Sequence, residues 1–393
     1  MAGKTLQSEM KTFKDEKTGR TIKQLTSTGN NVHMYFTENS FVKGKNEIIF
    51  QSDRASGEDK APHEDPAYSI YRMNLDTGVI EQLSDDVVRS ASAVTKTPDA
   101  ELIAYTTKDQ VKTLDMTTGE TCTIYTETGA FQMASVPSIA ANRRYVAFCR
   151  NETVDVAIHY HGANYSGFKE RYYAIKDGRI TLAYIDGSGS FDVFKDTHQV
   201  GHFQFSPIDP TVGSFCHEGP WNLVTQRMWL LDFISHEAKP AFRQAEQDSI
   251  GHEFWTQDGY LFFDDRGPGH DGTITSDRTQ AVVKDVAVND NTMIPFVGLL
   301  DQFGNLIRKI DLPYYCNHYH ANPDNSVLVG DDVDDLVLID ISGESATHQV
   351  LCNHKTSWHT QSSHCHPTWD WDGSRILYAS DYGGRVQLYL LEL

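Results

Sequence analysis

The chain has few of the features that mark membrane, secreted or nucleotide-dependent proteins. No apolar run in its 393 residues is long enough to span a bilayer. The sequence after Met1 is rich in Lys, Asp and Glu without a hydrophobic stretch, so we expect no secretory signal. There is no P-loop, no dinucleotide-binding glycine fingerprint and no G-x-S-x-G motif. The sequence signals of nucleotide binding and of serine-hydrolase chemistry are therefore absent.

Positive charge is also scarce. The 34 Lys and Arg residues face 54 Asp and Glu residues, for a net charge of −20, which argues against a nucleic acid or a membrane as the partner. The six cysteines are far apart and none belongs to a Cys-x-x-Cys pair. We therefore predict thiols in a reducing compartment and a cytoplasmic location. The apolar fraction of 39% and the charged fraction of 22% are typical of a globular protein.

The sequence does contain a recurring β-module. A turn, often built on Pro-Asp or Asp-Gly, precedes an apolar strand, and a further strand then ends in Asp with Gly shortly after it. The apolar strands of the seven copies are predicted at 47–50, 102–105, 145–148, 212–215, 260–263, 327–330 and 376–378. One module cannot bury both of its faces alone. Seven of them predict an all-β fold, a seven-bladed β-propeller that forms a single domain over residues 1–393.

The two ends of the chain are predicted to meet in one blade. The segment 21–25 precedes the first module, and 386–391 is the last strand of the sequence. We expect the N-terminal segment to join the last blade and close the ring, which hides sheet edges. A pair of β-sandwich domains is the alternative architecture.

Histidines recur near the starts of the modules. They are His33, His202, His252, His318, His320, His364 and His366. In a propeller the innermost strand begins each module and lines the central channel. We therefore expect histidines from several blades to converge on one axis.

The stretch 361–370 carries the strongest of these signals. On an extended strand His364 and His366 would point to the same side, with Cys365 on the other and Gln361 in the loop that enters the strand. Either His318 or His320 would add a third imidazole. Three imidazoles with an amide oxygen suit manganese or iron better than a structural zinc site, although affinity order alone favours copper, nickel or zinc.

Two further stretches bear candidate polar residues. Arg227 follows a turn that contains His217 and Glu218, and its guanidinium suits either a substrate carboxylate or a structural ion pair. His217 and Glu218 equally suit hydrogen bonds that stabilise the turn. The acidic run 331–335 lacks EF-hand spacing and predicts a solvated loop.

These residues together resemble a known family, the oligogalacturonate lyases, which are seven-bladed propeller lyases of intracellular pectin breakdown. The similarity is carried by 215–220, 227–229, 252–255, 317–318 and the pattern Gln361-x-x-His364-x-His366-Pro367. The resemblance implies a manganese cofactor, with other divalent metals as alternatives. By the same resemblance the metal ligands are His318, Gln361, His364 and His366, the catalytic base is His252, and a catalytic, substrate-binding arginine is Arg227.

The implied reaction is β-elimination on short, anionic oligogalacturonides, giving an unsaturated uronate. We also predict substrate contacts from His217, His202 and His33. Two other classes remain open: a propeller oxygenase with histidine-bound iron, and a non-catalytic propeller that binds a partner.

Overall fold

The computed structural model describes residues 3–89, 93–161, 164–220, 223–245, 248–266 and 294–393. These ranges contain 32 strands, the short helix α1 (Phe168–Ala174), and 3-10 helices at Pro62–Glu64 and Gln361–Ser363. Over these ranges, no helix has the length and apolar character needed to cross a bilayer.

Contacts divide the chain into two compact units. The first consists of Met1–Val94, Pro98–Glu101 and Cys316–Leu393, and the second of Thr95–Thr97 and Leu102–Tyr315. The expectation of a single domain over residues 1–393 stays a prediction.

The first unit has three antiparallel sheets in its described residues. In spatial order, the first sheet contains β1 (Thr5–Leu6), β7 (Ile80–Gln82), β6 (Ser69–Asn74), β5 (Glu47–Ser52) and β4 (Asn31–His33). The second contains β2 (Lys11–Lys14), β3 (Thr21–Gln24), β32 (Gln387–Glu392), β31 (Arg375–Ser380) and β30 (Thr368–Trp369). The third contains β26 (Tyr319–Ala321), β27 (Val327–Asp331), β28 (Asp335–Asp340) and β29 (Thr347–Asn353).

Four further sheets have four strands each and, apart from Val94 of β8, belong to the second unit. They are β8 (Val94–Lys96), β9 (Leu102–Thr106), β10 (Gln110–Asp115) and β11 (Thr121–Thr126); then β12 (Phe131–Ile139), β13 (Tyr145–Glu152), β16 (Gly178–Tyr184) and β17 (Ser190–Asp196). Next come β18 (Val200–Phe205), β19 (Val212–His217), β20 (Met228–Asp232) and β21 (Ala238–Pro240); then β22 (Ile250–Trp255), β23 (Leu261–Asp265), β24 (Phe296–Leu300) and β25 (Leu306–Asp311). The strands β14 (His159–His161) and β15 (Asn164–Ser166) form a separate hairpin.

Each of the seven predicted apolar strands is confirmed as the second strand of a module. The turns before them repeat one backbone feature, a residue in the left-handed region with φ between 55° and 87°, at Ala100, Arg143, Gly259, Asn325 and Gly373. Alanine and arginine pay a steric cost there that glycine and asparagine largely avoid. The turn is therefore kept by the sheet around it and does not depend on one residue type.

The N-terminal segment pairs as predicted. Strand β3 lies antiparallel to β32, with Ile22 opposite Leu391 and Gln24 opposite Tyr389. The N-terminal residues also form two strands that were not predicted from the sequence. Strand β2 pairs with β3 as the fifth strand of this sheet, and β1 pairs with β7 of another sheet. The beginning and the end of the chain thus share one sheet.

Ile22 also lies in a buried apolar cluster between two sheets of the first unit. Its neighbours include Leu336 and Leu351 of one sheet and Ile376 and Leu391 of the other. Since both faces of these inner strands are covered, their sequences are continuous apolar runs instead of alternating ones.

Replacing Ile22 by Ala should therefore weaken the sheet that joins the two ends of the chain. A buried Ile-to-Ala change costs about 2–5 kcal/mol through lost burial and the cavity it leaves. We expect a lower urea midpoint for Ile22→Ala. The neighbouring Lys23→Ala should stay within about 0.5 kcal/mol of the parent. Equal midpoints for the two variants would show that β3 does not hold the sheet.

Candidate functional site

Three histidines of the first unit converge on one point. His318, His364 and His366 are all buried, and each offers a ring nitrogen such that the three nitrogens lie within 4.8 Å of one another. The ring centroids are 4.2 Å apart for His318 and His366, 5.4 Å for His318 and His364, and 5.6 Å for His364 and His366. We call these three residues the histidine triad.

The triad does not arise from strand alternation, so that part of the sequence interpretation is wrong. His364 ends the 3-10 helix Gln361–Ser363, His366 has a left-handed backbone with φ 44°, and β30 begins only at Thr368. The two rings meet because the chain bends between them. Cys365 does face the other way, into the apolar cluster that contains Ile22.

His318 is held by a residue that the sequence analysis missed. The backbone N–H of His318 donates to Asp331 Oδ1 at 2.5 Å, and its Nδ1 lies 2.9 Å from Oδ2. The second bond leaves Nε2 as the nitrogen that can face a metal, the arrangement found around many metal-binding histidines. Burial raises the pKa of the Asp331 carboxyl well above its usual value.

The acidic run is therefore not the solvated loop that its composition predicted. Asp331, Asp332 and Asp335 are buried. Asp331 ends β27, whose Gly330 lies opposite Tyr319 of β26, so the register puts Asp331 next to His318. Strand pairing was the signal that would have found this residue, and it requires the fold.

The alternative third imidazole, His320, is used differently. Its Nδ1 accepts the backbone N–H of Trp369 at 3.2 Å, and burial lowers its pKa to about 4. The geometry thus groups His318, and not His320, with His364 and His366. Gln361 opens the 3-10 helix before His364, and its part in a ligand set stays a prediction.

His33 supports the bend that carries the triad. Its Nε2 donates to the carbonyl of Cys365 at 3.0 Å, and burial lowers its pKa to about 4, so the ring is neutral. This contact lies between His364 and His366 in the sequence. The structure therefore shows His33 in a positioning contact, and its predicted contact with substrate stays a prediction.

The donor set of the triad fits a divalent cation. Imidazole nitrogens bind mid-row metals well. The aromatic rings of Phe36 and Trp358 pack against the triad, with centroids 6.0 Å from the His366 ring and 5.1 Å from the His364 ring. Three protein ligands leave coordination positions for other oxygens, as catalytic sites require.

In the second unit, Arg227 is buried in a network of charges. Its Nε lies 3.4 Å from Glu253 Oε2, and its Nη1 lies 3.6 Å from Glu218 Oε2. His202 bridges the same two carboxylates, with Nδ1 at 3.0 Å from Glu253 and Nε2 at 3.1 Å from Glu218. Arg227 and His202 were predicted from the sequence as candidate site residues, but Glu253 was not predicted as their shared partner.

The charges in this network determine the state of His202. Burial alone would lower the pKa of its imidazole, but the charges of Glu218 and Glu253 outweigh burial and leave the pKa above the ordinary value. A protonated His202 and Arg227 then balance the two carboxylates. The backbone of His202 is left-handed, with φ 49°, at an irregularity in the pairing of β18 with β19, which redirects its side chain.

His252 lies at a corresponding irregularity, where β22 pairs with β23. Its Nδ1 lies 3.3 Å from Nη2 of Arg266. Because a guanidinium can only donate, Nδ1 is the unprotonated nitrogen in this contact. The backbone N–H of His252 donates to Asp264, whose pKa burial raises to about 6. The contact with Arg266 was not expected from the sequence.

His217 is separate from the Arg227 network. Its Nε2 lies 3.1 Å from Asp196 Oδ2, and its ring stacks on His198 with centroids 4.6 Å apart. Burial lowers the pKa of His217 to about 4. Its predicted contact with substrate stays a prediction.

Replacing Glu253 by Gln should destabilise the protein in a pH-dependent way. Loss of one partner from a buried charge network costs about 3–5 kcal/mol. The share of this cost that comes from losing the contact with protonated His202 is fully present below the pKa of His202 in the unfolded chain, about 6.5. It disappears as pH rises through the raised pKa of His202 in the folded protein. The difference in unfolding free energy between parent and Glu253→Gln should therefore shrink with rising pH in urea titrations. The exposed Glu237→Gln should show no such trend, and a constant difference for Glu253→Gln would contradict the charged His202.

Comparisons with known proteins identify the family. The family model described as oligogalacturonate lyase matches residues 1–393. An oligogalacturonate lyase of Dickeya dadantii is 23% identical, with 100% of this chain and 98% of the relative covered. An oligogalacturonide lyase of Pectobacterium atrosepticum is 24% identical, and that match spans only 58% of either chain.

Solved structures show the same fold. An oligogalacturonate lyase in complex with manganese superposes with a TM-score of 0.81 at 22% identity, covering 100% of this chain and 98% of the other. The oligogalacturonate lyase from Vibrio parahaemolyticus gives a TM-score of 0.80 at 22% identity with the same coverage. The predicted seven-bladed β-propeller is thereby confirmed. With the family model matched over its whole length, the chain belongs to the oligogalacturonate lyase family.

Proposed function

We propose that this chain cleaves short oligogalacturonides by β-elimination with the help of a divalent metal ion. The observation that carries the proposal is the histidine triad, a buried set of three convergent imidazoles in a member of this family. His318, His364 and His366 would hold the metal, with Gln361 as a further oxygen ligand. Manganese is the metal that we propose, because it is the ion in the related complex.

The difficulty of the reaction lies in removing a proton from C5 of a uronate. That carbon is next to a carboxylate, so the carbanion formed by losing the proton adds negative charge to a group that is already charged. When bound, the metal supplies positive charge that stabilises this developing enediolate. The C4–O bond then breaks, the leaving oxygen takes up a proton to become a hydroxyl, and a 4,5-unsaturated uronate forms without attack by a nucleophile or by water.

His252 is the base in this proposal. Its Nδ1 lone pair now accepts an N–H of Arg266 at 3.3 Å, so the nitrogen that a base needs is unprotonated. Arg266 has to release that lone pair when Nδ1 takes the C5 proton. Arg266 is also stacked over Tyr315, at 4.3 Å from the ring, which gives its guanidinium a second support.

Arg227 is the proposed uronate-binding residue, and its glutamate partners support this role. The distances of 3.4 Å to Glu253 and 3.6 Å to Glu218 exceed the roughly 2.7–2.9 Å of strong charge-assisted hydrogen bonds. A substrate carboxylate would take the place of one of these glutamates at the guanidinium. His202, bonded to both glutamates, keeps them in place when Arg227 changes partner.

The proposal includes a cytoplasmic location. No disulfide links any of the six cysteines, all of which lie in described residues. Thiols in this state are usual in a reducing compartment.

The decisive experiment measures the ultraviolet absorbance of the new conjugated double bond after digalacturonate is added. We expect a signal with manganese, its loss on treatment with a chelator, and its return when manganese is restored. His252→Ala should lower kcat by about 10²–10⁴-fold. His236→Asn, which removes an exposed histidine, is the control.

Two results would reject the assignment. One is no absorbance change with manganese present, and the other is full activity in His252→Ala. Bound iron together with oxygen uptake would favour the oxygenase instead.

Gly251→Ala tests whether the contacts that hold His252 matter. A Cβ at Gly251 would lie 2.7 Å from Nε of Arg266 and 2.8 Å from Asp264 Oδ2, so both side chains that contact His252 have to move. Misplacing a group by about 1 Å can cost roughly 10²-fold in rate, and we expect a fall of that size in kcat.

Gly189→Ala is the matched control, because a Cβ there meets nothing within 4 Å. It should retain the parental kcat. An unchanged kcat in Gly251→Ala, with melting temperatures equal in both variants, would show that Arg266 does not position the base.

A further inference from the structure

A second group of metal-binding side chains lies outside the histidine triad, in the second unit. Asp196, His198 and His217 each offer one ligand atom, and these atoms lie within 4.8 Å of one another. Asp196 Oδ1 is 3.0 Å from Nδ1 of His198, and Asp196 Oδ2 is 3.1 Å from Nε2 of His217. We propose that these three residues form a second divalent metal site, of the two-histidine, one-carboxylate type, suited to zinc.

The backbone builds this group from two sheets of the same unit. Asp196 is the last residue of β17, His198 lies in the turn that follows, and His217 is the last residue of β19. Val200 pairs with His217, and the N–H of Glu218 donates to the carbonyl of Gln199 at 2.9 Å. The turn is therefore attached to the end of β19, and the three side chains stay together without a metal.

The distances suit a small cation. A tetrahedral site with metal–ligand bonds of about 2.0–2.2 Å places neighbouring ligand atoms roughly 3.3 Å apart. The two separations of 3.0 Å and 3.1 Å involve different oxygens of Asp196, and single ligand atoms of the three residues lie within 4.8 Å of one another, so side-chain adjustments are enough to reach that value. The side chains of His198 and Asp196 are 45% and 24% exposed, so an ion can enter from solvent.

The surroundings of His217 are a separate indication. Its Nε2 faces Asp196 Oδ2 at 3.1 Å, and its ring stacks on His198 and packs against Trp229, with centroids 4.6 Å and 5.1 Å away. These contacts hold the ring with Nε2 directed at Asp196. A cation placed there would take the lone pair of that nitrogen without a change in the ring packing.

Zinc is the ion that this donor set favours. Two imidazoles and one carboxylate are borderline ligands, and zinc accepts them in tetrahedral geometry with water in the remaining position. The charge of Asp196 offsets part of the charge of the ion. The site shares no ligand with the histidine triad, and neither Asp196 nor His198 has a part in the proposed lyase reaction.

The test is zinc binding by the full chain after its metals are removed with a chelator. Metal retained after buffer exchange is measured by mass spectrometry for the parent, His198→Asn, His364→Ala and His236→Asn. His198→Asn is preferred to a change at His217, which is buried and packs against Trp229. His236 is exposed, and its left-handed backbone at φ 60° accepts asparagine well.

We expect His198→Asn to retain one equivalent of zinc less than the parent, and His236→Asn to retain the same amount. His364→Ala should still bind zinc, and zinc should raise its melting temperature, whereas the double variant His198→Asn with His364→Ala should show neither effect. Equal zinc in His198→Asn and the parent would overturn the proposal. An equal loss of zinc in His236→Asn would also overturn it, because it would mean adventitious binding to surface histidines. The absence of bound zinc in His364→Ala would overturn it as well. All of these readouts are separate from lyase activity.

Discussion

Burying three imidazoles around one point is the constraint on which the first unit depends. Each ring brings polar nitrogens out of water, and this costs free energy unless the nitrogens find partners. The bond from His318 to Asp331 and the bond from His33 to the Cys365 carbonyl meet part of that cost. They also fix ring orientation, so the same contacts that make burial tolerable define the site for a metal.

The second unit solves a related problem with charges instead of neutral rings. Arg227 is buried, and a buried guanidinium is stable only when carboxylates are near. Glu218 and Glu253 supply them, and His202 joins the two acids from the other side. The network gives a defined position to an arginine that a uronate can bind. It also links the ionisation of His202 to the stability of the unit.

Much of the architecture was predictable because it depends on local patterns. Apolar runs bounded by turn residues predicted the second strand of every module, and a short apolar segment before the first module predicted β3. Family resemblance pointed to His318, His364 and His366 before their convergence was visible. The strand that was expected to carry His364 and His366 does not exist, because a 3-10 helix and a left-handed His366 replace it.

The order of residues along the chain determined the number of modules, where each module begins and the types of side chain available to each. Only the tertiary structure decided which of those side chains meet. Asp331 reaches His318 through strand register, Glu253 reaches Arg227 across two sheets, and Arg266 reaches His252 because Gly251 has no side chain. Contacts of this kind join residues that are distant in sequence, or they depend on irregularities in strand pairing. The local conformational preferences of the residues predict neither the distant contacts nor the irregularities.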